Sequence, residues 1–369
     1  MAVSASADAT VSERPSRRSM VAGPVVGLIT LIGALVATQV ANVPLRDPDG
    51  VVGRRLGGVV ALVLGLVFLD IAVRAARRTG TKRPSLAAMR AVRRERWHWH
   101  RGVAVGSAVI SFYISYLAYR NIKSMVPLLR PGDLFDRELA DFDRVLFAGN
   151  DPAALLHSLL GVGVQTQLLS VVYLLYLAFV PLSLALALVY SRNLQGGLFF
   201  TTAMSINWTL GAASYLLLPA LGPIYVTPVE FAHLPTSGAS DLQSLLLDQR
   251  IEFLSDPAVT GAAQSIAAFA SLHVSMLFTV AVAAHLLGLA RNVRIALWAL
   301  VAVSAISTIY LGWHYVIDDV AGVVIALGAL AIARVLTGFD LTAGRQSRDA
   351  GAARAGGRAG RGASAALEP

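Results

Sequence analysis

Apolar residues in this chain come in long unbroken blocks set apart by shorter polar stretches, and the blocks predict helices that cross a bilayer. A crossing needs about 20 apolar residues. Eight blocks approach or reach that length: Pro24–Val43, Leu56–Val73, Val103–Tyr119, Thr166–Tyr190, Leu198–Ala220, Ser271–Leu289, Ile295–Gly312 and Tyr315–Leu336. They are continuous and rich in Leu and Ala, without the alternation of a membrane β-barrel. The expected fold is an all-α integral membrane protein of about eight transmembrane helices. The first block follows Arg17 and Arg18 as the core of a signal peptide would. With seven more blocks behind it, it reads as a retained signal anchor.

The polar stretches divide the chain. Residues 1–21 are Ser- and Arg-rich and expected to be disordered; 22–73 form a two-helix extension; 74–101 are a basic linker; 102–337 hold six blocks; 338–369 are a Gly/Ala/Arg tail expected to be disordered. No internal repeat is evident. Composition agrees with the membrane reading, since only 14% of residues are charged and 56% are hydrophobic, against about 25% charged in soluble domains. The absence of cysteine excludes disulfides and thiolate metal sites.

The net charge of +9 invites a nucleic-acid reading until its distribution is considered. Ten Lys/Arg residues and one acid, Glu95, lie between Arg74 and Arg101, and the tail adds Arg345, Arg348, Arg354, Arg358 and Arg361. The Asp133–Asp151 stretch is net acidic, and Pro223–Ala270 holds five acids against Arg250 alone. Alternation of this kind is topological: both termini cytoplasmic in a multi-pass protein of the cell membrane, with no nucleic-acid partner. The same linker charges suit anionic inner-leaflet lipid. Trp97 and Trp99 within Arg-Trp-His-Trp-His read as an interfacial anchor rather than a metal site at His98 and His100.

This topology brings three sets of polar residues to the external face. Lys123 and Arg130 are seven apart and expected to point from one helix face, a point charge and a planar fork suited to phosphate. Ser271 and His273 sit where a helix begins, so free backbone N–H groups favour an anion. His314 and Asp318 are four apart, and the carboxylate can fix the imidazole tautomer. One histidine attacking phosphorus while the other protonates the leaving oxygen is the division of labour covalent catalysis needs. His157, His233 and His285 receive no role. Phe135, Leu139, Phe142 and Leu146 recur at helical spacing among acids, predicting a helix that either lies in the interface beside the site or merely packs on the bundle. The Gly222-Pro223 and Pro235-Thr-Ser-Gly turns suit a cap over the site, and Asn207 and Trp208 are expected to line the pocket.

Lys123-Ser-Met-Val-Pro-Leu-Leu-Arg130-Pro131, Ala270-Ser271-Leu272-His273 and Ser307-Thr-Ile-Tyr-Leu-Gly-Trp-His314-Tyr-Val-Ile-Asp318 resemble the three motifs of the type 2 phosphatidic acid phosphatase superfamily over Val103–Leu336. The resemblance implies a six-helix membrane core and a metal-independent reaction through a phosphohistidine, with no cofactor. It makes His314 the nucleophile, Asp318 its orienting partner and His273 the general acid, with Lys123, Arg130 and Ser271 on the phosphate. Two positions depart from the pattern: Leu272 replaces the motif glycine and Thr308 the third-motif arginine. In both respects the chain looks like the inositol phosphorylceramide synthase branch, which moves a phospho-headgroup between lipids.

Losing a cation suits a phosphodiester, with one charge, better than a near-dianionic monoester. The expectation is a headgroup transferase acting on a phospholipid or other lipid-linked phosphate, with a phosphatidic acid or polyprenyl phosphate phosphatase as the alternative. A lipid transporter with buried proton-relaying groups, or a scaffold without activity, are rivals of another class. Clustering of the candidates at one membrane boundary disfavours the first, and the complete His/His/Asp set the second.

Overall fold

The computed structural model describes residues 15–191 and 193–340; the parts of the expected tails at 1–14 and 341–369 lie outside the described residues. Each of the eight apolar blocks carries a helix, and no strand occurs among the described residues. In chain order these are α1 (Arg17–Ala41), α2 (Leu56–Thr79, entered through one π turn at Val51–Arg55), the short α3 (Leu86–Arg96) and α4 (Trp99–Leu129). Two short helices follow, α5 (Asp136–Leu146) and α6 (Pro152–Leu160), then α7 (Val164–Tyr190) and α8 (Leu194–Leu217). After the small α9 (Pro223–Val226) and α10 (Gly238–Ser255) come α11 (Leu272–Leu286), α12 (Arg291–Tyr310) and α13 (Val316–Thr337). The long helices alternate in direction, so α5, α6, α9 and α10 gather at one end of the bundle and α3 lies at the other, basic end.

Helix ends depart from the apolar blocks where capping decides them. Helix α1 begins at Arg17 because the Ser16 hydroxyl accepts from Ser19 N at 3.2 Å. Helix α4 runs past Tyr119 to Leu129 and stops where Arg130 leaves helical geometry ahead of Pro131.

Among the described residues six helices are long and apolar enough to cross a membrane (α1, α2 with its π turn, α4, α7, α12 and α13), and the chain is a helical membrane protein. The other two differ for physical reasons. Helix α11 has only 15 residues. Helix α8 is central, with every residue from Gly196 to Trp208 buried, and a helix screened from lipid can be more polar. Its Asn207 accepts a hydrogen bond from Ser275 and donates to Thr279 at 3.1 Å, both on α11. Asn207 is thus a tie between helices, whereas Trp208 packs among the rings of Tyr116 and Tyr119 at 4.8 and 4.6 Å.

The extension does not stand apart. Helix α1 packs along α4, α8 and α13, and Thr30 and Thr209 share a hydrogen bond of 2.7 Å. At the basic end the buried Asp70 of α2 accepts from Arg74, Arg96 and the Trp97 indole N–H at 2.7, 2.9 and 3.1 Å. Trp97 is therefore a ligand of a buried carboxylate, and Trp99 alone of the pair is well exposed. At the opposite end, α6 is fastened to α12 by a 2.8 Å hydrogen bond between His157 Nε2 and the Tyr310 carbonyl.

Burial holds the His157 imidazole below its ordinary pKa, opposed by the Tyr310 hydrogen bond, with the nearby His233 adding to the depression. A base depressed in the folded state contributes stability that is present above its unfolded pKa, about 6.5, and lost as pH falls through the folded value. The thermal unfolding midpoint in detergent is therefore expected to drop between about pH 7 and pH 5, and His157→Gln to flatten part of that drop. An unaltered pH profile in the variant would remove His157 as a contributor.

Candidate functional site

The residues that could do chemistry meet at the end where α5, α6, α9 and α10 gather, and the start of α13 organises them. A helix N-terminus leaves four N–H groups without intrahelical acceptors, and burying them needs outside partners. Asp318 reaches back to accept from Tyr315 N at 3.0 Å. Asp143, from α5, accepts from Val316 N and Ile317 N at 2.6 and 3.1 Å. Carboxylates at this position also complement the positive end of the helix dipole. The same Asp318 oxygen lies 3.3 Å from His314 Nδ1, with Asp318 fully buried and His314 nearly so. The imidazole also has a hydrogen bond to the backbone of Ala268.

The turn carrying His314 is held from outside. Ile224 N donates to Gly312 O at 2.9 Å, and Gln243 of α10 donates to Leu311 O at 2.8 Å. Gly222 and Gly312 both have positive φ, and a Cβ on Gly222 would lie 2.5 Å from the Trp313 carbonyl oxygen. Asp136 of α5 receives Leu221 N, Gly222 N and the Tyr315 hydroxyl. The 222–255 segment thus braces the histidine turn. Asp136 and Asp143 of α5 face inward, while Glu138, Asp141, Phe142, Val145 and Leu146 are exposed.

His273 lies in the first turn of α11, whose N-cap is Ser271. Helix α13 approaches closely here: Ser271 N donates to Asp318 O at 3.0 Å, and a Cβ on Gly322 would lie 2.4 Å from Ser271 O. The His273 and His314 ring centroids are 6.3 Å apart. The His273 ring lies 4.2 Å from Tyr173 at 16° and 4.0 Å from Tyr176 at 31°, and its Nε2 is buried without a partner.

Lys123 stands close enough to both imidazoles to act on them electrostatically. Its ammonium lies 4.6 Å from the Tyr215 ring centroid and 5.9 Å from that of Tyr119, and donates to the Tyr119 hydroxyl at 3.5 Å. Arg130 is placed differently. It is the C-cap of α4, one residue past the end of the helix. Its guanidinium donates to Asp133 at 2.7 Å and to the Leu216 carbonyl at 2.6 Å, at the negative end of α8. Thr308 donates to Asp319 Oδ2 at 3.0 Å, and the Ser271 hydroxyl and His314 also interact with that carboxylate.

Five of the six residues expected from sequence therefore converge: Lys123, Ser271, His273, His314 and Asp318. The residues that sequence did not single out are Asp136, Asp143, Tyr173, Tyr176, Tyr215 and Trp313. Tyr173 and Tyr176 were legible only as a three-residue spacing on an apolar helix, which ordinarily marks packing.

Fold and site together define a helical membrane protein with a buried centre of two histidines, a carboxylate and a lysine. Residues 137–332, more than half of the chain, match the family model of the PAP2 superfamily, and the chain belongs to that superfamily. The matched span contains the Ser271–His273 and His314–Asp318 motifs and begins after Lys123 and Arg130. Membership carries a lipid phosphatase-type activity on lipid phosphate within a membrane. No curated protein and no solved structure matches the chain.

Asp143→Ala is expected to leave two half-buried amides without their acceptor, at about 1 kcal/mol each. Hydrogen exchange at Val316 and Ile317 should accelerate accordingly. Exchange at the wild-type rate would mean that Asp143 does not cap α13.

Proposed function

We propose that the protein is a metal-independent phosphotransferase that moves a phospho-headgroup of the inositol phosphate type between lipids through a phosphohistidine on His314, as the inositol phosphorylceramide synthase-like branch does. The observation carrying this reading is the His314–Asp318 contact at 3.3 Å, in a centre that also holds His273 and Lys123. Asp318 holds the Nδ1 proton and stabilises the cation that forms as Nε2 attacks phosphorus. His273 donates a proton to the departing lipid oxygen as the phosphorus–oxygen bond breaks. The acceptor alcohol then returns a proton to His273 and attacks phosphorus, and the phosphorus–nitrogen bond breaks. With a lipid phosphomonoester as donor and water in place of the alcohol, the same steps give the phosphatase reaction.

Lys123 takes the phosphate charge, helped by the Ser271 hydroxyl and the first amides of α11. Arg130 joins by exchanging the exposed Asp133 for the phosphate. The preference for a diester rests on Thr308. The position where the family motif has arginine carries a hydroxyl bonded to Asp319, so charge near the site is less positive than a dianion would favour. The Arg-rich 74–101 linker at the opposite end supports an external site with cytoplasmic termini.

The test uses protein purified in detergent with EDTA, given phosphatidic acid or phosphatidylinositol, each with and without an alcohol acceptor. Headgroup transfer that requires the acceptor and falls about 10³-fold or more in His314→Ala is the expected outcome. Inorganic phosphate from phosphatidic acid alone, lost in the variant, would establish the phosphatase instead. Turnover untouched by His314→Ala would overturn the catalytic assignment.

A further inference from the structure

A column of four aromatic rings runs through the site and joins its two histidine motifs. Trp313, the residue before His314, stacks on Tyr173 at 4.8 Å and 5°. Tyr173 stacks on His273 at 4.2 Å and 16°, and Tyr176 covers His273 at 4.0 Å and 31°. Two rings this near and this close to parallel must each lie over a face of the imidazole, and one face holds one ring. His273 is therefore sandwiched. Tyr173 and Tyr176 are three apart on α7, so one helix supplies both sides of the clamp.

We infer that Tyr173 and Tyr176 are positioning residues for the proton-donating step, clamping the His273 ring so that Nε2 points at the leaving oxygen, with Trp313 fixing the clamp relative to His314. The inference rests on the phosphohistidine reading above and adds a role to residues outside its motifs. Three observations carry it. His273 Nε2 has no protein partner, so no hydrogen bond at that nitrogen aims the ring. No carboxylate is bonded to the ring, whereas the faces of two tyrosines attract an imidazolium through their π systems. The Trp313 backbone is itself fixed, its main-chain N–H donating to Thr308 O at 2.9 Å and its carbonyl pressed against Gly222. The column thus runs from a fixed backbone point beside the nucleophile to the ring of the acid.

In the step concerned, His314 Nε2 forms a bond to phosphorus while the bond from phosphorus to the lipid oxygen breaks and takes the His273 Nε2 proton. A poor leaving group needs that proton; a p-nitrophenolate does not. The experiment compares phosphatidylinositol with the p-nitrophenyl diester of inositol phosphate, and phosphatidic acid with p-nitrophenyl phosphate, in whichever pair the wild type turns over.

Tyr173→Leu is expected to lower the ratio of lipid-ester to aryl-ester kcat by about 30-fold or more, within the range of general acid catalysis, with KM little altered. Tyr176→Leu, an independent variant should the first fail to fold, is expected to shift the ratio the same way. Tyr173→Phe, which keeps the ring, should restore it. An equal fall on both esters in the two Leu variants would reduce the clamp to packing and overturn the inference, as would Tyr173→Phe behaving like Tyr173→Leu. His273→Ala separates the two levels. If it spares the ratio, the acid assignment fails; if it collapses the ratio while both Leu variants keep it, only the clamp fails.

Discussion

The first turn of α13 must be buried and its amides must still be bonded, and the site is built from the solution to that constraint. Exposed amides would take water, but these sit between α5, α11 and the turn before them. Asp318 and Asp143 supply the missing acceptors between them. Because Asp318 reaches back to do so, its carboxylate also lies against His314, and its backbone carbonyl takes Ser271 N from α11. One helix start thereby sets the nucleophile candidate, its orienting acid and the helix that carries the second histidine.

The cation of the site obeys a related rule. Burying a charge beside a carboxylate would satisfy it in advance and leave little for a phosphate. Lys123 instead rests its ammonium over the faces of Tyr215 and Tyr119, which attract a cation without neutralising it. Arg130, nearer the surface and followed by a turn, pairs with the exposed Asp133 and a helix-end carbonyl. The two motif cations are therefore held in unlike ways, one by π faces and one by an acid that solvent can replace.

The helices and the converging motifs were legible in the sequence because lipid imposes long apolar runs and tolerates few polar groups, so His273, His314 and Asp318 stood out against a uniform background. Helix ends were less so: Ser16 and Pro131, not hydropathy, decide where α1 begins and α4 stops. The supporting groups were hidden for two separate reasons. Asp136 and Asp143 resemble the solvated face of an amphipathic helix, and only tertiary packing turns them inward. Tyr173 and Tyr176 resemble ordinary membrane-helix packing.

Asp143 grips α13 through the main-chain N–H groups of Val316 and Ile317 and not through their side chains. Any residue with an amide hydrogen can stand at those two positions and still be held, and proline alone cannot. The partnership between α5 and α13 therefore leaves no paired pattern of exchange in a set of diverging sequences. Mutational drift at 316 and 317 would look unconstrained while the carboxylate opposite stayed fixed, and the coupling would be invisible to any method that reads contacts from co-variation.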